Sequence, residues 1–174
     1  MLVWQKWLFL CVMAVFLSGC SSSKSPQKRK TTTTVSKIAP VRITHLQQQQ
    51  ASSELMLHSM SLVGTPYRFG GTSRTGFDCS GMVQYVYKTA LGVALPRTAR
   101  DMASAGIRIK KDRLKIGDLV FFNTNGKRHS HVGLYIGNGQ FIHSPSSNGV
   151  IRTNLLSDKY YAQHFDGAVT YFIK

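Results

Sequence analysis

Asp78-Cys79-Ser80-Gly81-Met82-Val83-Gln84-Tyr85-Val86-Tyr87-Lys88-Thr89-Ala90-Leu91-Gly92 carries a start signal, one apolar stripe and a stop signal, and reads as the clearest helix of the chain. Asp78 is a natural N-cap, Val83, Val86, Tyr87, Ala90 and Leu91 recur at helical spacing, and Gly92 suits the position after the last turn. Upstream, Ser52 to Val63 is also helical, with Leu55, Met56, Leu62 and Val63 on one side and Gly64 as the stop. A glycine-rich loop from Gly70-Gly71 to Gly76 joins the two. Downstream, Thr98 and Asp101 have capping-box spacing and open a short helix that ends near Gly106. The period then changes to alternation, and Asp118 to Phe122, His131 to Ile136, Gln140 to His143, Val150 to Thr153 and Ala168 to Ile173 read as strands. Helices first and an antiparallel sheet afterwards make an α+β fold.

The first residues are of a different kind. Lys6 is the only charge before Cys20, Trp7 to Leu17 is continuously apolar, and small residues precede Cys20. That is the three-part pattern of a secretory signal, and the apolar run is shorter than the about 20 residues a membrane span needs. Leu17-Ser18-Gly19-Cys20 resembles a bacterial lipobox. The resemblance implies a signal peptide over 1–19 and acylation of Cys20, with about 0.8 kcal/mol of membrane affinity per buried methylene. Ser21 in place of an aspartate implies the periplasmic face of the outer membrane. Residues 20–50 then read as a flexible basic tether, rich in Ser, Thr and Gln and poor in apolar side chains. It would span roughly 30 Å on average and about 100 Å stretched. Residues 51–174 are the right size for one domain.

The formal charge is +15. Six basic residues and no acid fall in the tether, and residues 51–174 hold fifteen basic against seven acidic side chains. Nucleic acid is the default partner for such a surface, but an exported lipoprotein rarely meets it. Anionic lipid headgroups and the carboxylates of cell-wall peptides remain, beside the plain reading of a solvated basic face.

Of the three cysteines, Cys11 lies in the leader and Cys20 ends the lipobox, so Cys79 is left as a lone thiol. It is either an inert buried cysteine or a nucleophile. With Asp78 as N-cap, its sulfur would sit at the positive end of a helix, which favours thiolate. A thiolate acting on an amide needs a group that moves protons, and His129, His131 and His143 all fall in the predicted sheet. The turn between strands decides their arrangement. A two-residue Asn138-Gly139 turn would set His131 and His143 on opposite faces. A three-residue Gly137-Asn138-Gly139 loop pairs Ile136 with Gln140 and Gly133 with His143, making His131 a diagonal neighbour about 7 Å away. The second register also buries Val132, Leu134 and Ile136 together, and is the one expected.

Pro66-Tyr67-Arg68-Phe69-Gly70-Gly71, Phe77-Asp78-Cys79-Ser80-Gly81, Leu95-Pro96-Arg97, Gly117 to Phe122, His131 to Gly137 and Phe141-Ile142-His143 together resemble the NlpC-type cell-wall cysteine peptidases, in the same order. The likeness runs from about Ser52 to Ile173 and is nearest to the small lipoprotein endopeptidases of Gram-negative bacteria. It implies a papain-like domain with N-terminal helices packed on an antiparallel sheet. Cys79 would be the nucleophile of an acyl-thioester mechanism, His131 the base and acid, His143 the group that orients it, and Tyr67 a hydroxyl beside the nucleophile. The implied substrate is the peptide stem or cross-link of peptidoglycan, with D-glutamyl-diaminopimelate and D-alanyl-diaminopimelate bonds both open. No cofactor, metal or nucleic acid is expected, and the protein is expected to act as a monomer held to the membrane by Cys20.

Rival readings stand beside these. His129 shares the alternation of His131, Tyr67 could be a core residue, and Asp78 reads as a cap rather than an acid. Cys79, His129, His131 and His143 could hold zinc, although no further cysteine or carboxylate accompanies them. A non-catalytic wall-binding lipoprotein would use the same fold. The sequence departs from the family pattern at Asp158 to Asp166, where Tyr160-Tyr161 replaces a Tyr-Trp pair.

Overall fold

The computed structural model describes residues 41–42, 45–154 and 157–173. The signal peptide, the lipobox with Cys20 and the tether up to Pro40 lie outside the described residues. Strand β1 (Val41–Arg42) precedes helix α1 (His45–Met60), so the helix begins well before Ser52 and takes in His45 to Gln50. Glutamine is a good helix former, and an already nucleated helix extends through such a run at little cost. Strands β2 (Thr72–Ser73) and β3 (Gly76–Phe77) form a small hairpin ahead of helix α2 (Cys79–Leu91). Asp78 caps α2 and Gly92 closes it with φ 68°, the left-handed conformation glycine adopts freely. Thr98 caps helix α3 (Ala99–Ala105).

The sheet follows. Strands β4 (Ile107–Ile109), β5 (Leu119–Phe122), β6 (His131–Gly137), β7 (Gln140–His143) and β8 (Ile151–Asn154) are followed by helix α4 (Lys159–His164), then β9 (Phe165–Thr170) and β10 (Phe172–Ile173). Six of these strands form one antiparallel sheet in the order β4-β9-β5-β6-β7-β8, and β10 pairs in parallel with β1. The single final strand expected over Ala168 to Ile173 is therefore two. Pairing with β4 ends at Thr170, and the buried Tyr171 turns its hydroxyl to donate to the Met102 carbonyl. The short β4 and α4 have too few residues for a periodic signal and were not expected.

Alternation gives the sheet two unlike faces. Leu119, Phe121, Val132, Leu134 and Ile142 pack with Leu55, Leu62, Met82, Val83, Val86 and Tyr87 of the helical layer. Val120, Phe122, Phe141 and Ala168 point the other way, beneath Tyr161 and Phe165. Helices α1 to α3 on one face of an antiparallel sheet are the α+β arrangement expected, and the short α4 covers part of the other face.

The β6–β7 turn corrects one expectation and keeps another. Asn138 (φ 52°) and Gly139 (φ 69°) form a two-residue turn with both residues left-handed, and Gly137 pairs with Gln140. The next pairs are nevertheless Tyr135 with Phe141 and Leu134 with Ile142. Ile136 is the extra residue of a bulge, and this single insertion restores the register that the three-residue loop would have produced. The Tyr135 hydroxyl accepts from the Gly139 N–H at 3.0 Å, bracing the bulge to the turn.

Gly81 explains part of the Asp-Cys-Ser-Gly stretch. A Cβ there would lie 2.0 Å from the Gly71 carbonyl oxygen, which already accepts from the Asp78 N–H at 3.1 Å. The glycine-rich loop thus runs directly against the first turn of α2. Gly81→Ala is expected to cost about 2 kcal/mol or more in urea denaturation, because backbone must move. An unchanged midpoint would contradict this packing.

Candidate active site

Asp78 places Cys79. Its carboxylate accepts from the Gly81 N–H at 2.6 Å and the Gly70 N–H at 3.1 Å, and Arg97 reaches both of its oxygens. Arg97 also donates to the Ser80 hydroxyl at 2.8 Å. The cap, the glycine-rich loop and the Leu95-Pro96-Arg97 segment are therefore tied at one carboxylate, and Cys79 opens the helix beside it. Sequence reasoning gave Arg97 no role, since nothing in a lone guanidinium names its partner.

Two imidazoles and one hydroxyl line up across three strands. His131 on β6 and His143 on β7 are both buried, and His131 Nε2 lies 2.9 Å from His143 Nδ1. His143 Nε2 lies 2.8 Å from the hydroxyl of Thr153 on β8. The rings meet edge to face, with centroids 5.1 Å apart. Gly133 leaves room for the neighbouring Phe141 ring, which a Cβ there would approach to 2.5 Å, and that ring packs 4.6 Å from His143 between centroids. Tyr161 of α4 packs over the pair, its ring centroid 4.8 Å from His143 and 6.1 Å from His131. Thr153 is a site residue that sequence reasoning missed, and Tyr161 was marked there only as a departure from the family pattern, with no role at the histidine pair. A threonine in a strand is an ordinary β-former, and a tyrosine in a six-residue helix has no periodicity to mark it.

His129 does not join them. Its left-handed backbone (φ 53°) is held by Asp166, which accepts from its N–H at 2.7 Å, and its Nδ1 lies 3.1 Å from the same carboxylate. That contact is close but poorly aligned for a hydrogen bond. Among the described residues, no group of three or more His, Cys, Asp or Glu side chains is placed to hold a metal ion.

Burial controls the charge states. It drives His131 down to about 4 and His143 lower still, the neighbouring His131 adding to the effect on His143. Burial pushes the Cys79 thiol up, and the Asp78 charge adds to this. The backbone N–H groups of Val132, Ser80 and Cys79 pull the other way and are outweighed. The sequence expectation of a thiol held down by the helix start is thereby corrected: the helix is where it was expected, but desolvation of the sulfur is the larger effect. Tyr67 is also raised, first by burial and then by Cys79 and Asp78, so its hydroxyl keeps its proton.

Cys79 and Tyr67 lie where two cavities meet. One, of about 810 Å³, is lined by Phe69, Asp78, Ser80, Arg97, Arg100 and Lys127 among others. The other, of about 640 Å³, is lined by His131, Ser144, Thr153, Asp158, Tyr160 and Tyr161 among others. A third, of about 690 Å³ beside Gln84 and Tyr85, holds no thiol, imidazole or carboxylate. The structure thus brings Cys79, Tyr67 and His131 to one cleft, with His143 behind His131. A half-buried thiol that lines the same cavity as a buried imidazole able to accept its proton is an arrangement able to perform acyl transfer.

Residues 64–170 match the family model described as the NlpC/P60 family. The murein DD-endopeptidase MepH of Escherichia coli is 46% identical over 124 residues, 69% of this chain and 46% of that protein. The chain thus spans about half the length of MepH. The probable endopeptidase NlpC of the same organism is 37% identical over 162 residues, 92% of this chain and 96% of that one. Among solved structures, the peptidoglycan hydrolase RipB of Mycobacterium tuberculosis matches with a TM-score of 0.63 and 28% identity, covering 76% of this chain and 70% of that chain. N-terminal helices laid on an antiparallel sheet, with a thiol at a helix start and a histidine pair on adjacent strands, agree with these matches: the chain belongs to the NlpC/P60 family of cysteine peptidases.

Proposed function

We propose that this protein is a lipid-anchored endopeptidase that cuts peptide stems or cross-links of peptidoglycan through an acyl-thioester on Cys79. The observation that carries the reading is the buried His131–His143 hydrogen bond, in a cleft that also holds the Cys79 thiol. In the resting enzyme thiol and imidazole are both neutral. Burial lowers His131 to about 4 and raises the thiol above its ordinary value, so each group on its own favours its neutral form.

Proton transfer therefore accompanies attack. Sγ of Cys79 bonds to the scissile carbonyl carbon as His131 takes the thiol proton. The carbonyl oxygen becomes an oxyanion, held by the Tyr67 hydroxyl and the Cys79 backbone N–H. Collapse breaks the C–N bond, and His131 returns the proton to the departing amine. Water then attacks the thioester, His131 takes one of its protons and returns it to the departing thiolate, and the acid product ionises by losing the other proton to solvent. His143 keeps the ring of His131 in orientation. Arg100 and Lys127 give one arm of the cleft a basic wall suited to stem-peptide carboxylates. The name of MepH favours a cross-link as the bond cut. A wall-binding protein without turnover would need neither thiol nor histidine pair, and both are present.

Cys79→Ser is expected to digest defined murein fragments about a thousandfold more slowly or worse, and His131→Ala comparably. The double variant should be no worse than either single one, because both groups act in one step. His143→Ala should cost about tenfold to a thousandfold. Product masses identify the bond. Parental turnover by Cys79→Ser would overturn the peptidase reading.

The anchor is proposed from Leu17-Ser18-Gly19-Cys20, with Ser21 directing the protein to the outer membrane and the mature chain working there as a monomer. Cys20→Ala should yield protein that takes up no fatty-acid label and leaves the membrane fraction. Normal labelling of that variant would remove the anchor from the account.

A further inference from the structure

We propose that Thr153 is a positioning residue for His131: by accepting from His143 Nε2–H it selects the tautomer that leaves His131 Nδ1 free to act as a base. The inference rests on the catalytic reading above and extends the site by one strand.

A neutral imidazole has one N–H and one bare nitrogen. His143 uses both nitrogens, Nδ1 toward His131 Nε2 at 2.9 Å and Nε2 toward Thr153 Oγ1 at 2.8 Å. Two proton arrangements fit these distances. In the first, Thr153 donates to His143, His143 donates from Nδ1 to His131, and the proton of His131 is forced onto its Nδ1. That ring has no lone pair left for a thiol proton. In the second, His131 donates from Nε2 to His143, and His143 donates from Nε2 to the Thr153 oxygen. His131 Nδ1 is then bare, as a base requires.

Only the second arrangement serves both halves of the reaction. When His131 is protonated it must donate from Nε2, so His143 Nδ1 must already accept and its Nε2 must already carry the proton. Under the first arrangement two protons would have to change places inside a buried pair at each turnover. His143 is fully buried, so its tautomer is set by its two protein partners. Thr153 is suited to accept because it is half-buried and lines the 640 Å³ cavity, where its own O–H can donate to water. Its place is set by the β7–β8 ladder, where it pairs with Phe141 while His143 pairs with Ile151. The diagonal from His131 to Thr153 thus crosses three hydrogen-bonded strands.

The test compares Thr153→Val, which keeps the shape without the hydroxyl, with Thr153→Ser, which keeps the hydroxyl. Both are made in the full chain and assayed on defined murein fragments beside Cys79→Ser. Thr153→Val should lower kcat by about tenfold or more with little change in KM, and Thr153→Ser should stay within a few-fold of the parent. Nitrogen NMR of labelled imidazoles at neutral pH should show the proton of both His131 and His143 on Nε2 in the parent and the serine variant. The valine variant should show a mixture. Parental kcat and parental imidazole signals in Thr153→Val would overturn the proposal, as would a proton on Nδ1 of His143 in the parent. If Thr153→Val fails to fold, the parental spectrum and the serine variant still decide. Activity in Cys79→Ser would sink the catalytic reading itself. An inactive Cys79→Ser beside a fully active Thr153→Val would remove only Thr153.

Discussion

The Asp78 carboxylate is the contact on which the site depends. It closes the first turn of α2 through Gly81, draws in the loop through Gly70 and binds Arg97 across the cleft. Three segments separated in the chain meet at two oxygens, and Cys79 has its position because they do. An exposed ion pair contributes little to stability. This carboxylate is only 14% exposed and satisfies backbone N–H groups as well as a guanidinium, so removing it would strand several donors at once. The close approach of Gly71 to Gly81 is the steric side of the same junction.

The second element is a bulge. Without Ile136 as an extra residue, the Asn138-Gly139 turn would pair Leu134 with His143 and send the two imidazoles to opposite faces. One inserted residue gives the pair a common face, leaves Val132, Leu134 and Ile142 against the helices, and sets Gly133 where the Phe141 ring needs the space of a missing Cβ. A sheet that packs its core on one face can then devote part of the other to buried polar groups, under Tyr161.

Much of this was legible in the residues. Both caps of α2 are strong local signals, and the structure shows Asp78 and Gly92 in those roles. The hairpin register followed from asking which pairing buries Val132 and Leu134 together, although the turn that produces it is of another kind. What escaped was non-local. The partner of Arg97 is nineteen residues away, and Thr153 becomes meaningful only when β8 is set beside β7. The charge state of Cys79 was misjudged for a related reason. A helix start can be read from sequence, but the desolvation that outweighs it comes from the surrounding fold.

The central claim is that thiol and imidazole both rest neutral and exchange a proton only during attack. The most direct measurement follows thiolate formation at Cys79 by ultraviolet absorbance across pH, using Cys79→Ser as the blank. A raised thiol binds its proton over a wider range, so the thiolate should be nearly absent at neutral pH and appear with an inflection above that of a free cysteine, about 8.5. A thiolate already formed at neutral pH, with its inflection well below that value, would contradict the account and restore a standing thiolate–imidazolium pair.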